Sequence, residues 1–357
     1  MEIVKVHNGN IDKFIRFSKS IYIGNPHHRD TMSRTVINIL KGKAQICKGN
    51  FIEGIMVQNE ERIVAVCVFS IIDRMKDIMQ MAYLETENDD EAIDTLIAYG
   101  KTLARQHGIT KLLAGLNIHV NYGLGFLASH FDTDQSLGSS YNPEYYIELL
   151  RTRSAEEITL ISYLTSMDKF EFHLEDRLIE RILKEYNVRK ADFRNLEKEA
   201  KIYTEINNKA FKSHRFYYER KAEEDLELFR EFKLLLKAEN LLFLEHDNKP
   251  IGFMLWYPDF NQLLSEGESI GLKTLIKSKI LPNLINKFKI VEIGVIPEYQ
   301  KTGAVFSLFH ECGLLTRGKY DFCETGWVLE DNVSSTGLGV RWAQGEYKQY
   351  KVFMINV

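Results

Sequence analysis

Long apolar runs, paired cysteines and proline are what this 357-residue chain has least of. No stretch approaches the ~20 consecutive apolar residues of a membrane span. The start, MEIVKVHNGNIDKF, lacks the basic-then-apolar order of a secretory signal. Neither insertion into a membrane nor export is expected. The 4 cysteines (Cys47, Cys67, Cys312 and Cys323) show no CxxC spacing and are too few for a disulfide framework, which points to a reducing cytoplasm. Only 6 prolines interrupt the chain, so no proline-rich linker marks a boundary. Neither sign of charge dominates: 46 basic against 50 acidic residues give a net charge of −4. A module that gains affinity by neutralising nucleic-acid phosphates is therefore not expected.

What is present is core-forming sequence, 45% hydrophobic against 27% charged. At about 150 residues per domain this length suggests two domains. Periodicity divides them. In the first half, Asp12–Ile21 and Thr31–Lys41 read as helices, and FIEGIMVQ, RIVAVCVFSII and IMQMAYLE as strands. Asp89–His107 follows as an amphipathic helix with Ile93, Leu96, Ile97 and Leu103 on its stripe, and EITLISYLT closes the half as a strand. The second half repeats the order: a helix over Leu196–Phe211, another over Glu223–Ala238, and a hairpin turning at Asn248–Lys249. A strand KIVEIGVIP, a helix over Val305–Thr316, a strand DFCETGWVLE and a last strand YKQYKVFMI complete it. Both halves thus read β-α-α-β-β-β-α-β-(α)-β, with EIVKV as the first strand. The expected architecture is a mixed α/β fold in two tandem units, 1–170 and 171–357.

The segment that carries chemistry is VEIGVIPEYQKTGAVFSLFHECG, residues 291–313. A strand ending at Pro297, a tight turn with Gly303 and a helix beginning there gather backbone N–H groups at the positive end of a helix dipole. A diphosphate can be held there with few basic side chains, and Gly303 removes the Cβ that would keep it away.

This strand–turn–helix resembles the acyl-CoA site of the GCN5-related N-acetyltransferase (GNAT) superfamily, whose signature is Gln/Arg-x-x-Gly-x-Gly/Ala. Gln300 and Gly303 match it, and Val305 stands where Gly or Ala is usual. ETGWVLEDN resembles the next family strand, with Asn332 at a cofactor-contacting position. IYIGNPHH, GLGFLASHFDTDQSLGSSYNPEYY and GFMLWYPDFNQ resemble segments of bacterial tandem GNAT proteins. The resemblance implies an N-acyltransferase acting on acetyl-CoA or another acyl-CoA, without a metal, with a small-molecule or peptide amine as acceptor. It places the acyl-CoA contacts at Val295, Ile296, Gln300, Lys301, Thr302, Gly303, Ala304, Val305 and Asn332. The first half is expected to be a degenerate copy. Its corresponding turn, Thr86-Glu87-Asn88-Asp89-Asp90-Glu91, carries four acidic side chains that satisfy the helix dipole and repel a diphosphate.

Direct attack on a thioester requires a base and a proton donor. Glu292 is the first candidate base. On an extended strand it and Val295 face opposite ways, so a bulge decides whether it reaches the cleft. Glu324 on the adjoining strand is the second, with pairing to Arg341 or Lys351 as its structural alternative. The helix expected after Asn332, SSTGLGVRWA, holds no tyrosine, leaving Tyr347 and Tyr350 as candidate donors. Pro258, Asp259, Asn261, Tyr141 and Tyr145 are candidates for the acceptor pocket. His27–His28 has no ligand spacing for a metal. His214–Tyr218 reads as a helix-flanking core patch, with nucleobase stacking as its alternative. Lys273–Lys289 reads as a solvated basic face or as a contact for the cofactor's phosphate. Two other readings stay open: a tandem GNAT module that binds a ligand without turnover, and an aminoacyl transferase using charged tRNA.

Overall fold

The computed structural model describes residues 1–168, 175–332, 343 and 345–357. The first half contains β1 (Glu2–Lys5), α1 (Ile11–Ser20), α2 (Ser33–Leu40), β2 (Phe51–Asn59), β3 (Arg62–Ile71), β4 (Met79–Thr86), α3 (Asp90–Gln106), β5 (Lys111–Ala114), β6 (Phe126–Leu127), α4 (Tyr145–Arg151) and β7 (Glu156–Ser166). The second contains α5 (Asp176–Glu185), β8 (Asn187–Lys190), α6 (Leu196–Ala210), α7 (Ala222–Phe232), β9 (Leu241–His246), β10 (Lys249–Pro258), α8 (Leu272–Ile280), β11 (Lys287–Val295), α9 (Val305–Thr316), β12 (Phe322–Thr325), β13 (Val328–Leu329) and β14 (Gly345–Asn356). The duplicated order read from periodicity is therefore present, and the helix expected at Val305–Thr316 has those bounds. The helix expected after Asn332 lies outside the described residues, as does Arg341.

Local chemistry accounts for the element ends. Asp89 caps α3, its carboxylate accepting from the Glu91 and Ala92 N–H groups at 2.8 and 3.2 Å, so the acidic first-half turn satisfies its own helix terminus. The β9–β10 turn sits one residue earlier than expected, at Asp247–Asn248, where φ is +50° and +60°. Those values are the left-handed pair a tight hairpin needs and that Asp and Asn tolerate.

Among the described residues one mixed sheet runs β1-β2-β3-β4-β5-β14-β7-β12-β11-β10-β9-β8. The two halves exchange their last strands. β14, from the end of the chain, pairs with β5 through Phe353–Ala114 and its neighbours. β7, from the first half, pairs with β12 through Cys323–Thr165 and its neighbours. β14 and β7 lie side by side at the middle of the sheet and join its two halves. Consequently Phe353 and Ile355, close to the C-terminus, pack in a first-half core with Ile93, Leu96 and Leu112. No helix among the described residues is long and apolar enough to cross a membrane.

Candidate active site

The site begins where β11 and β12 part. They run parallel from Lys287–Phe322 to Ile290–Thr325, and the last link is the Gly326 N–H donating to the Ile290 carbonyl at 2.6 Å. A Cβ on Gly326 would stand 2.4 Å from the Val291 carbonyl oxygen, so only glycine allows this approach. Past it the chain leaves β11, and β13 pairs with β7 instead. On the other edge the β10 register shifts, Leu255 facing Glu292 and Trp256 facing Ile290, which leaves Val291 as a bulge. Between the splayed strands lies a cavity of about 260 Å³. His214 and Trp327, their rings 5.7 Å apart, line it together with Tyr217, Glu292, Phe309 and Asn332.

The bulge resolves the parity question on β11. Glu292 lines the cavity, whereas Val295 faces the core with Leu244, Ala304 and Leu308. The Glu292 carboxylate accepts from the Tyr203 hydroxyl on α6 and lies 3.5 Å from Nη1 of Arg220. Burial opposes the charge on Arg220, but Asp225, Tyr203 and Glu292 outweigh it and hold the guanidinium protonated. Asp225, 3.6 Å from Arg220 Nε, takes a hydrogen bond from the Thr204 hydroxyl at 2.7 Å. Burial pushes its carboxyl up to about 6 despite Arg220. Arg220 Nε also donates to His119 Nε2 at 3.3 Å. Burial, reinforced by Arg220, holds that imidazole neutral, which suits an acceptor role. His119 and its cavity-lining neighbours Val120 and Asn121 come from the first half, so both halves build the cleft.

Tyr203, Arg220 and His119 do not stand out in the sequence. The local signal is confined to the two arginines in the aromatic stretch His214–Arg220, because the meeting with Glu292 joins segments about 70 residues or more apart. That stretch divides by side: Phe216 and Tyr218 are buried in two cores, while His214 and Tyr217 line the cavity.

Glu324 occupies different surroundings. Its side chain is fully buried and accepts from Lys287 Nζ at 2.9 Å and from the Ser136 hydroxyl. Burial alone would raise its carboxyl, yet Lys287, Lys289 and Lys348 together hold it below the ordinary glutamate range. Its partner is thus Lys287; Lys351 pairs with Glu157 at 2.7 Å. Asp259 joins the cluster, 3.2 Å from Lys287, and accepts from the Leu137 N–H at 2.9 Å. The Asn261 amide donates to the Gln135 carbonyl at 2.8 Å. Asp259 and Asn261 therefore clamp the first-half segment 135–137 onto β11 and β12. The basic run is only partly a solvated face: Lys273 and Lys279 are exposed, but Lys289 is buried, lines the cavity and donates to the Ser139 hydroxyl. Tyr347 is half-buried with its ring 5.0 Å from that of His130, and Tyr350 packs in a core with Leu160 and Val352. Tyr141 lines a separate first-half cavity.

The expected phosphate turn has the backbone its sequence implies. Gly303 adopts φ +86°, Gln300 Nε2 donates to the Val295 carbonyl at 3.0 Å, and the Ile296 N–H donates to the Ile251 carbonyl at 2.9 Å. The Thr302 hydroxyl donates to the Tyr299 carbonyl at 2.9 Å. Lys301 and Thr302 are exposed, Ala304 is fully buried, and Val305 is half-buried beside the α9 core. Ile182 of α5 reaches within 3.1 Å of where a Cβ on Gly303 would stand. Residues 295, 296 and 300–305 are not among those lining the 260 Å³ cavity, whereas Asn332 is. Within the turn the Gln300, Thr302 and Ala304 N–H groups already donate to the Pro297 carbonyl, the Tyr299 carbonyl and the Thr302 hydroxyl. Among the described residues no three His, Cys, Asp or Glu side chains gather as a metal-ligand set.

Comparison with known proteins agrees with this geometry at the level of fold. No family model matches the chain. Protein YghO of Escherichia coli K12 is 20% identical over 297 residues, covering 78% of this chain and 74% of that protein. A bacterial ceramide synthase of Caulobacter vibrioides is 21% identical over 297 residues, covering 76% and 73%. Among solved structures, a tandem GNAT protein from the clavulanic acid biosynthesis pathway superposes with a TM-score of 0.54 at 12% identity, over 99% of this chain and 98% of its own. A GCN5-related N-acetyltransferase from Sphaerobacter thermophilus gives 0.54 at 11% identity, over 99% and 95%.

Proposed function

On the premise of a tandem GNAT fold, we propose that the chain transfers an acyl group from an acyl-CoA to the amine of a small-molecule or peptide acceptor in the second-half cleft. The observation that carries this reading is the split between β11 and β12 past their last link at Gly326, with Glu292 at its wall. A thioester lying in the split has its carbonyl beside the β11 backbone at the Val291 bulge, where a main-chain N–H stabilises the developing oxyanion. The acceptor enters from the side lined by His214, Tyr217 and Asn121. Glu292, directly or through one water, takes the proton of the incoming ammonium. The N–C bond forms, the C–S bond breaks, and the second proton leaving the amine nitrogen passes, directly or through water, to the departing thiolate. Tyr203 and Arg220 orient Glu292. Glu324, already ion-paired and held at low proton affinity, is a poor base and is assigned to holding segment 134–139. In this reading the main-chain N–H groups of Lys301, Gly303 and Val305 are the donors to the diphosphate, and Asn332 contacts the pantetheine arm.

Acetyl-CoA is expected to raise the Tm, and a panel of amines, a long-chain amino alcohol included because one relative is named a ceramide synthase, to release free thiol. In Glu292→Gln, turnover falls by about 10²–10⁴ while the acetyl-CoA shift persists; wild-type turnover in this variant refutes the assignment. The contact of Ile182 with Gly303 favours one alternative, a cleft that binds ligand without turnover. Binding with no thiol release across the panel selects it.

A further inference from the structure

The first half, expected to be a degenerate copy, has kept a cavity of its own. β4 carries an irregularity like that of β11: its pairing with β3 shifts between Val66–Glu85 and Val68–Ala82, and Tyr83 at the bulge has φ +48°. Its parallel pairing with β5 likewise ends early, at Met81–Ala114. The cavity at this point measures about 150 Å³. Glu85 thus occupies the place in the first half that Glu292 occupies in the second.

The surroundings of Glu85 differ in one respect that decides the chemistry. Glu292 has Arg220 beside it; among the described residues the side chains bonded to the Glu85 carboxyl are phenols. Tyr22 Oη lies 2.9 and 3.0 Å from the two carboxyl oxygens, and Tyr146 Oη 2.7 Å from one of them. The nearby cations are already engaged. Lys19 pairs with Asp30 at 2.8 Å, and Arg29 bonds the Pro26 and His28 carbonyls and lies 3.6 Å from Asp134. His28, stacked on Tyr22 at 3.7 Å, is held neutral by burial, its proton affinity lowered to about 4. Its Nδ1 is buried with no hydrogen-bond partner. Phe14, Met32, Val36 and Tyr122 form an apolar stretch of the wall, and Asp30, Ser33, Asn117 and Gln135 are among its polar members. A partly buried carboxyl that opens onto a cavity, with no counter-charge beside it among the described residues, is costly as an anion; burial pushes Glu85 up to about 8.

We propose that this cavity is a binding site for an alkylamine, whose ammonium pairs with Glu85 while its aliphatic body lies on the apolar wall. The ammonium supplies the missing counter-charge, and the charge-assisted hydrogen bond replaces a neutral one. The proton balance follows: a neutral carboxyl and an ammonium become a carboxylate–ammonium pair, and one proton leaves to solvent. His28 Nδ1 offers a further contact for an amine or a neighbouring hydroxyl. Asn121 and Gly138 line both this cavity and the second-half cleft, so the two occupants are neighbours. The site does not depend on the acyl-transfer reading, which survives if this one fails.

The test is calorimetry on the full chain at pH 7 with n-hexylamine, in phosphate and in Tris. The expected result is binding whose enthalpy differs between buffers by close to one proton released per amine, with n-hexanol binding at least about tenfold more weakly. Glu85→Gln weakens n-hexylamine at least about tenfold and abolishes the buffer dependence, whereas Glu292→Gln changes neither. Equal binding of n-hexanol, no proton release from wild type, absence of binding, or loss in Glu292→Gln but not Glu85→Gln each overturns the proposal. The first two readouts need no variant and stand even if Glu85→Gln fails to fold.

Discussion

Replacing Phe353 by alanine separates the exchanged-strand architecture from one in which each half keeps its own last strand. Phe353 is fully buried and opposite Ala114 of β5, with Phe126 6.2 Å away. Truncating a buried phenylalanine costs about 3–5 kcal/mol, transfer and cavity terms together. That is a fifth or more of the roughly 5–15 kcal/mol that holds a typical domain folded. The exchange predicts where the loss is felt: in the first-half core, where α3 contributes Ala92, Ile93, Leu96 and Ile97. Hydrogen exchange followed by mass spectrometry, beside urea unfolding, reads this out. Amides of α3 and β5 are expected to lose protection by about 10²–10³-fold, with α9 and β9 changing far less. Protection lost in α9 and β9 with α3 unchanged, or a stability change under about 1 kcal/mol, refutes the strand order.

Other perturbations test the site and its electrostatics. Gly326→Ala places a Cβ against the Val291 carbonyl, so about 1–3 kcal/mol of stability is lost to overpacking and the acetyl-CoA-induced Tm shift disappears; an unchanged shift shows that the split is not the binding place. The stability of the wild type responds to pH through Glu85, whose proton affinity rises from 4.5 to about 8 on folding. The folded state then holds a proton that the unfolded state has released, so this contribution is complete below pH 4.5 and fades as pH rises through 8. Between pH 5 and 7.5 it amounts to on the order of 3 kcal/mol, and Glu85→Gln flattens that part of the profile in urea titrations. A profile identical to wild type contradicts the buried neutral carboxyl. Glu324 acts oppositely, its depressed proton affinity adding stability that is present above pH 4.5 and lost on acidification. In Lys287→Met, unfolding is expected to begin at higher pH than in wild type; an unaltered acid limb argues against the ion pair.

Periodicity and turn chemistry make several parts of the molecule readable from the chain alone. An apolar stripe needs only its own helix, so α3 and α9 are legible to within a residue or so. Gly303 declares a tight turn between a strand and a helix, and the acids before α3 declare their own cap. The repeated order of elements, and with it a two-unit mixed α/β fold, follows from the same local rules.

Other features rest on contacts between residues far apart in the chain. Glu292 is legible as an acid on a strand, but whether it faces the cleft depends on the bulge at Val291, which exists only in the pairing of β11 with β10. Glu324 looks equally available in sequence, yet three lysines and Ser136 close around it in the fold. Neither Tyr203, Arg220 nor His119 carries a local mark of its role, and the exchange of β7 and β14 leaves none, since each strand has the same alternation whichever sheet it enters. A sequence specifies what each segment prefers to be; which segment lies beside which follows from burial shared among distant side chains, and on that depend the cleft, its proton chemistry and the second carboxyl at Glu85.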